Sequence, residues 1–267
     1  SEIVQHPDLL PERSQPQPVA PNDEFGIMKL ACFDLEIASV LPDADLEWSK
    51  QAGLGISCAA VAGDDFEETR IWQGRPRLGP KDSAELVHQL EELSKQGYLL
   101  ISWNGCGFDF RILAEESGLS QECGELALNH VDLMLMVTFS KGWFLSLQSA
   151  LEGAGLAGKL KTVQLTDGSL VTDMGASKAP AFWAAGEYEA VLEYLKRDVL
   201  QLLKLAHSVA DQQSIRWTSR AGKPQEVRFP RLLTVSECFA IPEPDTSWMS
   251  DPPKRQQFVD WIDRLPA

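Results

Sequence analysis

Apolar residues change their spacing along this chain, and each change predicts an element. Residues 29–40 (KLACFDLEIASV) read as a buried strand that begins to alternate. Residues 55–62 (GISCAAVA) and 69–73 (TRIWQ) predict two more strands, with Gly63, Asp64 and Asp65 as the hairpin turn between them. Over 81–96 the spacing lengthens to that of a helix. Leu86, Val87, Leu90 and Leu93 recur on one face, Asp82 or Ser83 serves as N-cap, and Gly97 ends the run. Residues 98–103 (YLLISW) form a short apolar strand, and 108–118 a helix closed by its glycine. Residues 131–139 and 145–151 are helix-like, Gly153, Gly155 and Gly158 break the second, and 157–180 read as irregular. The strongest periodicity lies in 187–211, where Val191, Leu192, Leu195, Val199, Leu202 and Leu203 make one stripe. Beyond it, 214–219 and 226–229 flank RAGKP as a β-hairpin, and a short helix falls at 258–264.

Three strands, a helix, a fourth strand and then helices predict an α/β domain, a mixed sheet flanked by helices. We divide the 267 residues into three parts. Residues 1–24 carry Pro7, Pro11, Pro16, Pro18 and Pro21 without apolar period and read as a flexible leader. Residues 25–211 hold the sheet and helices, and 212–267 form a C-terminal extension with the hairpin.

Charge sharpens this picture. The net charge is −15, all of it in residues 1–135, which hold 24 acids and 9 bases. Residues 136–267 hold 15 of each. Bulk attraction to nucleic acid is thereby excluded. Between residues 212 and 235, however, Arg216, Arg220, Lys223, Arg228 and Arg231 face Glu226 alone, a local charge of +4. No apolar run reaches the ~20 residues of a membrane span, and the first residues lack a secretory pattern. The five cysteines include no C-x-x-C pair, so reduced, mostly buried thiols and a cytoplasmic location are expected.

Three short segments carry the candidate chemistry. Asp34 and Glu36 stand two apart in the first strand and project from one face. A buried pair of acids repels and is costly to desolvate, which a cation relieves; a solvated strand end is the plainer reading. Asp109 follows the fourth strand at the start of a helix, in the crevice where α/β sheets place ligands; taken alone, an N-cap or early-turn helix acid is the plainer reading. Tyr194 and Asp198 lie four apart on the long helix, beside its apolar stripe; a hydrogen-bonded pair at the core edge is the alternative. Asp132 reads as a helix cap, and His130 and His207 as structural. Lys159 and Lys161 fall in the irregular stretch, where approach to substrate and simple solvation both fit.

Taken in order, Asp-x-Glu, Asn-x-x-x-Phe-Asp and Tyr-x-x-x-Asp resemble the three motifs of the DEDD exonucleases, over roughly residues 29–211. The resemblance implies a ribonuclease-H-like fold with Asp34, Glu36, Asp109 and Asp198 as the metal-binding acids. The position five before the last aspartate, a histidine in one branch, is Glu193 here, whereas Tyr194 matches the tyrosine branch. That branch includes the proofreading domains of family B DNA polymerases. The strings HVDLM and VLEYLKRDVLQLL are similar to those of stand-alone predicted 3′–5′ exonucleases related to such domains.

The resemblance implies a two-metal hydrolysis with Mg²⁺ or Mn²⁺. Its substrate is a single-stranded nucleic acid with a free 3′ end, DNA or RNA, cut to nucleoside 5′-monophosphates. Asp34 would bridge both ions, Glu36 and Asp198 complete the first site, Asp109 help hold the second, and Tyr194 orient or help deprotonate the water. Leu35, Asn104 and Phe108 are the candidate contacts for the terminal nucleotide, and Arg216, Arg220 and Arg228 for phosphates further back. A ribonuclease-H-like module that binds nucleic acid or protein without cutting is the competing reading.

Overall fold

A computed structural model describes residues 28–41 and 53–264. The leader expected at 1–24 lies outside them. The elements run β1 (Lys29–Ile37), β2 (Ile56–Gly63), β3 (Arg70–Gln73), α1 (Pro80–Lys95), β4 (Tyr98–Ser102), α2 (Asp109–Ser117) and α3 (Ser120–Asn129). After these come β5 (Val131–Asp132), α4 (Leu133–Lys141), α5 (Leu147–Gly153), β6 (Val163–Gln164), β7 (Leu170–Val171), α6 (Ala179–Ala184) and α7 (Tyr188–Gln212). The hairpin β8 (Ser214–Thr218) and β9 (Pro224–Arg228) precedes α8 (Val235–Cys238), a 3-10 turn at Arg255–Phe258 and α9 (Asp260–Arg264).

The central sheet has the order β3-β2-β1-β4-β5. β2 runs antiparallel to β1 and β3, while β4 and β5 run parallel to β1. It is the mixed sheet that the sequence predicts. Both faces of β1 are covered, which explains its nearly unbroken apolar run. Phe33, Leu35, Ala59 and Val61 share a core with Leu86 and Leu90 of α1 and Phe110 of α2. The rings of Phe33 and Phe110 lie 4.7 Å apart. Cys58, Ala60 and Ala62 form a second cluster with Val191, Tyr194, Leu195 and Val199, so α7 covers the other face.

Four local expectations change. α1 begins at Pro80 with Gly79 as its cap, because proline suits a first turn that needs no N–H; Asp82 Oδ2 accepts from Gly79 N at 3.4 Å instead of capping. Val131 and Asp132 pair with Ile101 and Ser102 before α4 starts, a strand too short for any periodicity. The stretch 157–180 contains the small β6–β7 pair and the start of α6. α3 was not anticipated: its buried side is only Cys123, Gly124, Leu126 and Ala127, too few to form a readable stripe.

The segment after β9 returns to the main body. Phe258, Val259 and Trp261 join the central core, and Trp261 Nε1 donates to the Cys106 carbonyl at 2.9 Å. All five cysteines are free and buried. Among the described residues no helix is long and apolar enough to cross a membrane.

Candidate active site

The site begins with register. Asp34 pairs with Ala60 and Glu36 with Cys58, and cross-strand partners share a face. The neighbours on β2 are therefore small, and both carboxylates fit beneath α7. Parallel pairing sets Cys32 beside Ile101, so the chain leaving β4 emerges next to Asp34. It turns through Asn104, which adopts φ +68, and starts α2 at Asp109. The Leu35 N–H then donates to Asp34 Oδ1 at 3.0 Å and to Asp109 Oδ1 at 3.1 Å. One backbone donor thus ties together acids 75 positions apart. From above, α7 brings Tyr194 and Asp198, which are 1% and 2% exposed.

Electrostatics reveal the cost of this arrangement. Burial pushes Asp34 up to about 6, helped by Asp198 and opposed by Lys159. Burial and Asp34 together push Glu36 and Asp109 well above the usual carboxylate range. Asp198 also rises through burial, against the pull of Lys159. The Tyr194 phenol is raised by burial and by Asp198, so it stays protonated at neutral pH. Both Asp198 oxygens are buried without a hydrogen bond of normal geometry. Their charge is met by Lys159, whose Nζ lies 2.5 Å from Oδ2 and 5.0 Å from the centre of the Tyr194 ring. Burial works against the lysine's charge, but the surrounding acids more than compensate. Its loop is fastened by a hydrogen bond from the Lys159 N–H to Gln148 Oε1 at 2.8 Å.

A second buried acid shapes the loop before Asp109. Asp132 caps α4, accepting from Met134 N at 3.1 Å and Leu135 N at 3.2 Å. It also accepts from Asn104 N at 2.9 Å and Cys106 N at 3.1 Å, fixing the turn after β4. The sequence suggested the cap but not the second pair of donors. Asp132→Asn would turn an amide NH₂ toward the Cys106 N–H. We expect it to cost about 1–3 kcal/mol, the scale for one buried donor left unpaired. Urea unfolding at pH 4.5, where the Asp132 carboxyl is protonated in the fold and its charge plays no part, checks this, and an unchanged midpoint there would show the loop to be held by other means.

The remaining candidates divide. The Leu35 side chain is buried in the core, and its part in the site is its backbone N–H. Phe108 is half-buried and packs against the core; Asn104 is half-buried. Arg216 and Arg228 bracket Glu226 at 3.1 and 3.0 Å, and Arg231 pairs with Glu237 at 2.8 Å. Arg220 stands apart at the exposed hairpin end. His130 is structural: Nε2 lies 2.7 Å from Ser102 Oγ and Nδ1 2.7 Å from the Ala127 carbonyl. His207 pairs with Asp64 at 2.8 Å. No motif marked Lys159 as the partner of Asp198; only its place after a glycine-broken helix hinted at it.

Four carboxylates from three segments make a donor set suited to hard divalent cations. Among the described residues no three acidic, imidazole or thiol groups already stand as a closed ligand set. The position beside Asp198 is filled by the Lys159 ammonium. The donors fit the metal, and the lysine provides the positive charge without it.

No curated protein sequence matches this chain. Among solved structures it is similar to the family B DNA polymerase from the hyperthermophilic archaeon Pyrobaculum calidifontis, with a TM-score of 0.49 and 16% identity over 69% of this chain. The chain spans about a quarter of that polymerase, 25% of its length. The RNase_H superfamily model RNase_H_2 matches residues 32–210, from the strand that bears Asp34 to the end of the helix that bears Asp198. With two thirds of its length in that match and the sheet order described above, the chain belongs to the RNase_H superfamily.

Proposed function

We propose that the protein is a metal-dependent 3′–5′ exonuclease acting on single-stranded nucleic acid. The observation that carries this reading is the meeting of Asp34, Glu36, Asp109, Tyr194 and Asp198, from three separate segments, with the Lys159 ammonium set against Asp198. A purely structural use of three buried acids and a half-buried fourth would be a poor solution, because each is costly to desolvate. The order and spacing of the three motifs support the exonuclease assignment within the superfamily, and Tyr194 supports the tyrosine branch. Free buried thiols support a reducing compartment, which we take to be the cytoplasm.

Asp34, Glu36 and Asp198 would hold one divalent cation, and Asp34 with Asp109 a second. When bound, two such ions supply an activated water and neutralise charge on the departing 3′ oxygen. Asp34 is central because it couples electrostatically to both Asp109 and Asp198. In the metal-free fold Tyr194 keeps its proton, and we assign it the part of holding the attacking water by hydrogen bond. Water adds to phosphorus, the P–O3′ bond breaks, and the departing oxygen takes a proton.

Two measurements test this reading. Chromatography of the products should yield nucleoside 5′-monophosphates from the 3′ end. Internal fragments, or 3′-phosphates, would contradict it. Tyr194→Phe should lower kcat by about 10²-fold through loss of positioning, with little change in KM. A full-rate variant would remove Tyr194 from the mechanism.

A further inference from the structure

A second concave site lies outside the acidic cluster. It is a cleft of about 610 Å³ between the α4–α5 connection, the β8–β9 hairpin and the segment after α8. Trp143, Phe144, Trp217 and Trp248 line it together with Arg220. Phe144 and Trp248 are 53% and 69% exposed, two of the few large apolar side chains left in solvent among the described residues. Both turn up at the same cleft, which isolated surface exposure does not explain.

The cleft is built, not incidental. Trp143 and Trp217 meet edge to face at 5.4 Å. The Trp248 indole N–H donates to the Asp245 carbonyl at 3.2 Å, which holds an exposed ring in place. Two glycines bring the walls together. A Cβ on Gly153 would lie 1.9 Å from the Arg216 carbonyl oxygen, so only glycine lets α5 lie against β8. Gly142, at φ +80, would meet Thr246 at 2.2 Å, so it seats the segment that carries Trp248.

Charge identifies the occupant. In a chain of net charge −15, residues 212–235 carry +4. Arg216 and Arg228 share Glu226, Arg231 pairs with Glu237, and Arg220 is the arginine that reaches the cleft. Aromatic faces beside an unpaired guanidinium match single-stranded nucleic acid, whose bases stack and whose phosphates pair. The cleft is linked to the acidic site through α5. Ser146 and Ser149 of the cleft flank Gln148, and Gln148 holds the loop of Lys159. α5 is only about 10 Å long, at 1.5 Å per residue.

We propose that this cleft is an upstream subsite that stacks one or two bases of a single strand and pairs Arg220 with its phosphate. It deepens the exonuclease reading on which it rests. The test is fluorescence anisotropy with a labelled DNA single strand of about ten nucleotides, inside the usual site-size range. It is run in chelator, at low salt. Trp248→Ala and Phe144→Ala should each weaken binding roughly 5- to 150-fold, the range for one lost stack. Arg220→Ala should reduce the salt slope by about one. Unchanged thermal melting confirms that these exposed positions leave the fold intact. Variants that bind like the wild type would overturn the subsite. So would wild-type protein that ignores the oligonucleotide, or binds only a proline-rich peptide competitor. Because binding in chelator needs no hydrolysis, an inactive enzyme with Trp248-dependent binding would refute the exonuclease and leave the cleft standing.

Discussion

Asp34→Asn should abolish metal-dependent hydrolysis while leaving the protein at least as stable as the wild type in metal-free buffer. The two effects have one cause. Asp34 is the acid whose charge burdens its neighbours, raising Glu36 and Asp109. An asparagine keeps the Oδ1 that accepts from Leu35 N and discards the charge. Relief of repulsion favours the fold, whereas a metal ligand is lost. We expect the rate to fall by at least roughly 10³-fold, the upper end for deleting one electrostatic stabiliser of a transition state. Tm without metal should stay level or rise by a few degrees. Loss of both activity and Tm would make Asp34 a structural residue and remove the main support for the site.

The second large effect is on stability against pH. Acids in the cluster, and Asp132, have folded-state pKa values raised by burial, Asp34 and Asp132 to about 6. Their unfolded values lie near 3.9 to 4.3. Between about 4 and 6 the folded state therefore binds more protons than the unfolded state, and stability falls as pH rises. A two-unit rise is worth roughly 3 kcal/mol for one group. The opposite flank comes from His130, which burial lowers to about 4 so that stability is lost as pH falls from about 6.5, and from depressed acids. Arg231 holds Glu237 down at about 2, and stability from that pair is lost as pH falls through that value. The metal-free protein should thus be most stable near pH 4, with Tm lower by roughly 5–10 °C at pH 7.5. Mn²⁺ should restore Tm at pH 7.5 and do little at pH 5, because protons compete for the same oxygens. A metal-free Tm that rises from pH 5 to 7.5, or an equal Mn²⁺ shift at both, would contradict the account.

Much of this site was legible because its residues obey local rules. A strand places Asp34 and Glu36 on one face whatever surrounds it, and a helix does the same for Tyr194 and Asp198. The sheet was readable for the same reason, since β1, β2 and β4 are continuous apolar runs. Lys159 was not readable in the same way. It lies 39 residues before Asp198 in an irregular stretch, and its contact is made by tertiary packing alone. The basic hairpin was half readable: its charge is plain, but the pairing of Arg216 and Arg228 with Glu226 follows from β8–β9 register. The aromatic cleft was hidden altogether. Trp143, Trp217 and Trp248 come from three distant segments, and two close approaches at Gly142 and Gly153 assemble them.

The central claim is that these carboxylates hold divalent cations that cut a single strand from its 3′ end. Its most direct test is a timed digestion of 5′-labelled single-stranded DNA and RNA of one sequence, with Mn²⁺, with Mg²⁺ and with chelator, alongside Asp34→Asn. The account predicts a ladder that shortens stepwise from the 3′ end, needs metal, and is absent in the variant. Folded wild-type protein that leaves both substrates intact under every metal condition would contradict it.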